Sequence, residues 1–280
     1  MNAWLSRSLA ILCAAALSLS LAHAQQTYTL VYKFAPGQSY QYKSVSEGTV
    51  IQEMMGQEMK MENGSDLTVS LATEKVGKDG SMTLMTKLVE GTTRMKNPMQ
   101  DTTIAMTEMI GKRMKIQVKS DGVILNREIV DTVETEGRMR GVGQREAVRF
   151  HILPAKAVKV GETWSSTFTD TVDNLGGKIV NVVNSTYNVL GTEQKNGAPC
   201  LKVSYNGSIT IEGSGTMQGM DLFIEGGGKV AGTMFFDPER GMVIEDESTT
   251  ETESTIAVTG QQNMTIPISQ KSTTVQTLLP

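Results

Sequence analysis

The 280-residue chain has little of what most binding and catalytic chemistries draw on: two cysteines, two histidines, two tryptophans, seven prolines and only 5% aromatic residues. Trp4, Cys13 and His23 fall within Met1–Ala24, which leaves Cys200, His151 and Trp164 as single representatives of their types. One remaining cysteine excludes an internal disulfide framework, and one histidine with one cysteine cannot furnish a zinc or haem ligand set. Charge of one sign is scarce too. Beyond residue 24 there are 25 Lys and Arg against 30 Asp and Glu, a net charge of −5 that gives no electrostatic case for nucleic acid or an anionic membrane. No cofactor and no metal are expected.

Residues 1–24 place one cation, Arg7, before a Leu/Ala/Ile run and then Ala22-His23-Ala24, with small residues at −3 and −1 of a cleavage point. That is the pattern of a signal peptide. Cleavage leaves 256 residues from Gln25 and implies a bacterial exported protein, periplasmic or extracellular. The apolar run stops short of the roughly 20 residues a spanning helix needs, and no later run approaches that length, so no transmembrane segment is expected after cleavage. Cys13 follows Leu12, not the small residue that precedes a lipid-acceptor cysteine. The sequons at Asn63, Asn184, Asn206 and Asn263 are read as chance in a bacterial chain.

The chain beyond residue 24 is rich in threonine, with 32, and valine, with 24. Both have a stiff χ1 that suits half-buried pleated surfaces. Alternation of period two recurs: Tyr40, Tyr42, Val50 and Met54; then Met59, Met61, Leu67, Val69 and Leu71; then Met82, Leu84 and Leu88. Met55-Gly56 and Ser120-Asp121-Gly122 read as turns. The second half repeats the habit at Leu201/Val203/Tyr205, Ile209/Ile211, Val230/Met234/Phe236 and Met242/Ile244. Helical candidates lie at Thr102–Ile110 and within Glu128–His151, as covers over a sheet.

Self-similarity is the next signal. Phe34–Tyr40 can be laid on Val158–Trp164 at an offset of 124, Lys75–Gly80 on Glu193–Gly197 at 117, and Gly111–Gly122 on Gly228–Gly241 at 119. The expected fold is mainly β: a curved antiparallel sheet or half-barrel built from two related halves, 25–150 and 151–280, forming one continuous domain with one or two short covering helices. An outer-membrane barrel is the competing architecture, disfavoured by the lack of a terminal aromatic and of paired aromatic girdles.

Five stretches carry a resemblance: Tyr32-Lys33-Phe34 with Gly37-Gln38-Ser39-Tyr40, Gln52–Met59, Val160–Trp164, Gly219-Met220 with Glu225-Gly226, and Gln262–Pro267. Through them the chain resembles a family of uncharacterised exported bacterial β-proteins, over most of its length. In shape such chains look like the half-barrel lipoprotein carriers of the LolA-like class, which hold acyl chains in a concave sheet. The resemblance implies no catalytic residue.

Seventeen methionines remain beyond residue 24, four of them at Met54, Met55, Met59 and Met61. Thioethers bind Cu(I), but alternation divides these four between two faces and no histidine stands nearby. Core or pocket lining fits better, because methionine repacks around irregular shapes. The candidate ligand-binding residues are therefore Met59, Met61, Leu67, Val69, Met82, Leu84, Met114 and Met234, lining a concave sheet for a hydrophobic small molecule or lipid. The alternative is a non-catalytic structural or interaction module that contacts another envelope protein. Catalysis has little to stand on. Cys200 and His151 lie in unrelated contexts, no Gly-x-Ser-x-Gly elbow occurs, and Gly226-Gly227-Gly228 lacks the helix and Lys-Ser/Thr pair of a phosphate loop. A carboxylate-based hydrolase has no spacing that selects its pair. Glu245-Asp246-Glu247, with Glu251 and Glu253, reads as the solvated side of late strands.

Overall fold

The computed structural model describes residues 26–54, 56–131, 148–174, 176–217, 219–260 and 263–280. The expected signal peptide, 1–24, with Cys13, lies outside them. The described chain is almost wholly strand: β1 Ser39–Met54, β2 Gln57–Val76, β3 Met82–Asn97, β4 Gln100–Ala105, β5 Arg113–Val118, β6 Ile124–Ile129, β7 Thr163–Asn174, β8 Gly177–Lys195, β9 Ala198–Met217, β10 Met220–Asp237, β11 Met242–Thr259 and β12 Met264–Leu278. All pair antiparallel in one twelve-stranded sheet of order β6-β5-β3-β2-β1-β12-β11-β10-β9-β8-β7, with β4 added on β3. β1 lies beside β12, so both halves of the chain share the sheet.

The sheet curls without closing. Its end strands β6 and β7 exchange no ladder hydrogen bonds, yet Arg127 of β6 reaches Asp170 of β7 at 2.7 Å and lies over the Phe168 ring at 5.9 Å. Glycines permit the coil. At Gly207 a Cβ would fall 2.5 Å from the Asn184 carbonyl oxygen, and at Gly228 it would collide with that of Glu251. The glycine-rich runs are thus bends of a curved sheet.

Among the described residues the base of the concave side is filled. Two extended segments, 28–34 and 148–153, run into it before β1 and after β6. The first alternates, with Leu30, Tyr32 and Phe34 at 1–4% exposure. Its backbone is held from both sides: Tyr32 N donates to Ser120 O in the β5–β6 turn, and Lys33 N to Gly241 O in the β10–β11 turn. Tyr32 packs edge-on against Phe150 and Phe236, at 5.3 and 5.8 Å between ring centres. Tyr28 and Val158 bond each other reciprocally, and Leu153 N donates to Asp121 O, so the two segments support one another and the same turns. Gly122, at φ +89°, sits where any side chain would strike the His151 carbonyl.

The expected helix at Thr102–Ile110 is not formed. β4 occupies its first part and a single 3₁₀ turn, Thr107–Met109, the rest. The cause is the turn before it: Asn97 Oδ1 accepts from the amides of Met99 and Gln100, which folds the chain back into a hairpin that the Arg94–Asp101 ion pair spans. β-branched Thr102, Thr103 and Ile104 suit that strand. The second helical candidate shows the end of β6 at 128–129 and an extended stretch at 148–151; residues 132–147 lie outside the described set.

If the inserted segments hold the base together, Leu30→Ala should cost about 2–5 kcal/mol in denaturant unfolding. Ile266→Ala, near the far end of β12, should cost about 1 kcal/mol or less. Similar losses at both positions would contradict the arrangement.

Candidate functional site

Period-two pleating assigns one face of every strand to the concave side, and the paired registers make those positions continuous across the sheet. Along β11 and β12, for example, Asp246 faces Gln276, Ser248 faces Thr274, Thr250 faces Ser272, and Ile256 faces Ile266. Three zones follow from base to tip.

The base is packed. Six of the eight candidate lining residues, Leu67, Val69, Met82, Leu84, Met114 and Met234, lie here at 0–4% exposure, in contact with the inserted segments and not with open space. Met59 and Met61 do not join them; they lie half-buried on the same concave face near the tip of β2. The sequence pattern assigned the face correctly but could not show that the chain fills part of it.

Within the base lies a polar cluster that sequence reasoning missed. Asp246 is 2% exposed. The expectation that Glu245-Asp246-Glu247 forms a solvated acidic run is therefore corrected: alternation turns Asp246 inward between two outward glutamates. Tyr205 Oη donates to Asp246 Oδ1 at 2.8 Å, and Arg149 Nη1 approaches Oδ2 at 3.3 Å and donates to Ser248 Oγ at 2.8 Å. His151 Nε2 stands 3.2 Å from Asp246 Oδ1 but out of hydrogen-bond alignment. His151 Nδ1 pairs with Tyr187 Oη at 3.3 Å, and the His151 amide donates to Tyr32 Oη at 2.9 Å. Gly232 faces Tyr205 across the ladder, and a Cβ there would meet the phenol at 2.5 Å, so the glycine is what lets the ring lie toward Asp246. Burial works to raise the Asp246 carboxyl, but His151, Arg149 and the Tyr205 hydroxyl outweigh it and hold the group below its ordinary value. Burial, with the Asp246 charge, pushes the Tyr205 phenol far up.

This cluster binds the 148–153 segment to β9 and β11. Its charges are spent on one another, which reads as structure. Cys200 is equally enclosed, at 0% exposure, with its thiol pushed by burial up to about 11.

Above the base runs a belt of small hydroxyls on the concave face: Ser46, Ser65, Ser248, Thr250, Ser272 and Thr274, with Thr274 Oγ1 donating to Ser46 Oγ at 3.2 Å. Beyond it aliphatic side chains share the tips with polar ones at Asn63, Thr252, Ser254 and Gln270. Val50, Ile211, Ile224, Ile256, Ile266 and Ile268 are half-buried, with Met59 and Met61 in the same zone. The opposite face is charged along its length, with Lys43–Asp66 at 2.9 Å and Glu251 between Lys229 and Lys271 at 2.8 and 2.7 Å. Two grooves on that convex face, of about 520 and 350 Å³, are lined by hydroxyls, amides and charges such as Thr167, Asn184, Asn206, Glu62 and Lys96, which suits water better than an apolar molecule. Among the described residues no group of three or more His, Cys, Asp or Glu could hold a metal ion, and no helix is long and apolar enough to cross a membrane.

No protein-family model and no curated protein matches the chain. Among solved structures it is similar to an outer membrane channel from Pseudomonas putida F1, at 8% identity and a TM-score of 0.29, over 89% of this chain and 97% of that one. It is also similar to OccD3 of Pseudomonas aeruginosa, at 7% identity and a TM-score of 0.27 over 93% and 97%, and to OccK11 of the same species, at 7% and 0.23 over 90% and 100%. Likeness at these scores carries no argument.

The depressed Asp246 carboxyl predicts a pH dependence. Its charge stabilises fully above the ordinary carboxylate range near pH 4, and that contribution is lost as pH falls through the lower folded value. Acid unfolding should therefore be blunted in Asp246→Asn relative to its own neutral-pH stability. Asp246→Ala, which strips the buried partner from Arg149 and His151, should cost about 3 kcal/mol.

Proposed function

We propose that this chain is an exported, non-catalytic bacterial envelope protein that binds an apolar or amphipathic ligand, such as a lipid, on the tip half of its concave face. The observation that carries the reading is the division between faces. Aliphatic side chains at Val50, Met59, Met61, Ile211, Ile224 and Ile256 line the concave side, and ion pairs line the convex side. That sidedness is the reverse of a membrane barrel, whose lipid-facing exterior is apolar and whose lumen is polar. Methionines among the branched residues allow repacking around ligands of different shape.

The two-halved architecture belongs to the same reading. Besides the landmarks at offsets of 117 to 124, Gly56 and Gly176, both at positive φ, end the first hairpin of each half 120 residues apart. The pairs Gly37 and Gly161, Gly80 and Gly197, and Gly122 and Gly241 also share positive φ. A duplicated unit accounts for an aliphatic tip zone contributed from both halves of the chain.

Protein purified from its native host should release lipid detectable by mass spectrometry. Ile211→Asp combined with Ile256→Asp should weaken uptake of an apolar dye at least about tenfold, a loss of some 1.4 kcal/mol or more. The outward control Thr210→Asp should change nothing. Absence of lipid and of dye uptake in the wild type would sink the reading and favour an interaction module.

A further inference from the structure

The concave face is short of charge in a chain whose composition is 20% Asp, Glu, Lys and Arg. Above the base, no lysine or glutamate stands at a described inward position of β1, β2 or β8–β12, where the same strands carry Lys43, Glu62, Glu225, Lys229, Glu251 and Lys271 on the other face. The inward charges among the described residues are compensated. Arg127 meets Asp170 at 2.7 Å where the sheet edges approach, and Arg149 meets Asp246 at 3.3 Å on top of the base. An anionic head group brought against this surface would lose hydration and find each cation described there, Arg127 and Arg149, already facing a carboxylate, and burying an unpaired charge is strongly unfavourable. The belt supplies something else. Ser46, Ser65, Thr250, Ser272 and Thr274 are partly exposed hydroxyls that both donate and accept, suited to hydroxyl and ester groups without net charge.

We infer that the ligand of the concave face is an uncharged single-chain lipid of the monoacylglycerol class, its acyl chain along the aliphatic tips and its glycerol ester at the hydroxyl belt. The inference rests on the lipid-binding reading above and narrows it. It follows from how charge is divided between the faces and from the height of the belt between base and tips.

The test is competition against Nile red bound to the purified exported protein, at pH 8 and below micelle-forming concentrations. The competitors share one chain: 1-monopalmitoylglycerol, palmitate and 1-palmitoyl lysophosphatidate. The monoacylglycerol should displace the dye at concentrations at least tenfold lower than either anion. Thr250→Lys, which sets an uncompensated cation in the belt, should narrow or reverse that gap by strengthening palmitate, and Ser272→Lys should do the same if the first variant fails to fold. Equal or better competition by palmitate or lysophosphatidate in the wild type overturns the uncharged assignment and leaves lipid binding standing. Folded lysine variants with no gain for palmitate overturn the placement of the head group. No dye uptake, or no displacement by any of the three, overturns both this inference and the lipid-binding reading.

Discussion

Two extended segments entering the concave side of a curled sheet are the constraint on which the rest of this molecule depends. A sheet of twelve strands that does not close and, among the described residues, meets no second layer has no core of its own. Leu30, Tyr32, Phe34, Phe150 and Leu153 provide one, and the amides of both segments bond to hairpin turns that lie far apart in the sheet. The backbone groups that enter the core are thereby satisfied, which is the condition for burying extended chain at all. Asp246, Arg149 and His151 then fix the second segment to β9 and β11 through contacts whose geometry admits one depth of insertion.

Filling the base has a consequence for the tips. The strands of the long hairpins run 12 to 20 residues, far beyond the depth the inserted segments reach, so the upper concave face is left to side chains that must tolerate each other and whatever enters. Small residues at Gly207, Gly226 and Gly228 let the sheet bend there, while isoleucine and methionine spread over the concavity. Hydroxyls separate this zone from the charged cluster below. The gradient from packed aromatics through hydroxyls to aliphatics is a property of register: each row is set by the pairing of β1 with β2 and β12, and of β9 with β10, and one residue of slip would exchange it for the charged face.

Much of this was legible from residues alone. Alternation placed Tyr42, Leu67, Val69, Met82, Val203 and Met234 on the buried face, where each lies at 5% exposure or less. Gly56 and Gly122 marked real turns. What could not be read was depth. Period two distinguishes a face but not the part of it that another segment will cover, so six candidate lining residues proved to be core. The helix expected at 102–110 does not form because the Asn97 side chain, just before Pro98, accepts from the next amides and commits the chain to a hairpin. Asp246 was misread for a related reason: three acids in a row look like one solvated patch, although strand pleating sends the middle one inward. The parity of Ile244, itself read as buried, carried the missed signal.

The unclosed edge bears on how such a face could exchange a ligand. β6 and β7 are joined by the Arg127–Asp170 contact and the Phe168 ring, with no ladder between them. Both charged groups are about one-quarter exposed, so solvent screens the pair and its contribution is of the order of 1 kcal/mol or less. A backbone ladder over the same length would add one hydrogen bond per residue pair and resist separation cooperatively. A side-chain latch can open with little loss while the base, held by buried aromatics and the Asp246 cluster, stays intact. On the proposed ligand-binding reading, stability and access would thus fall in different parts of one sheet, and neither would have to be weakened to obtain the other.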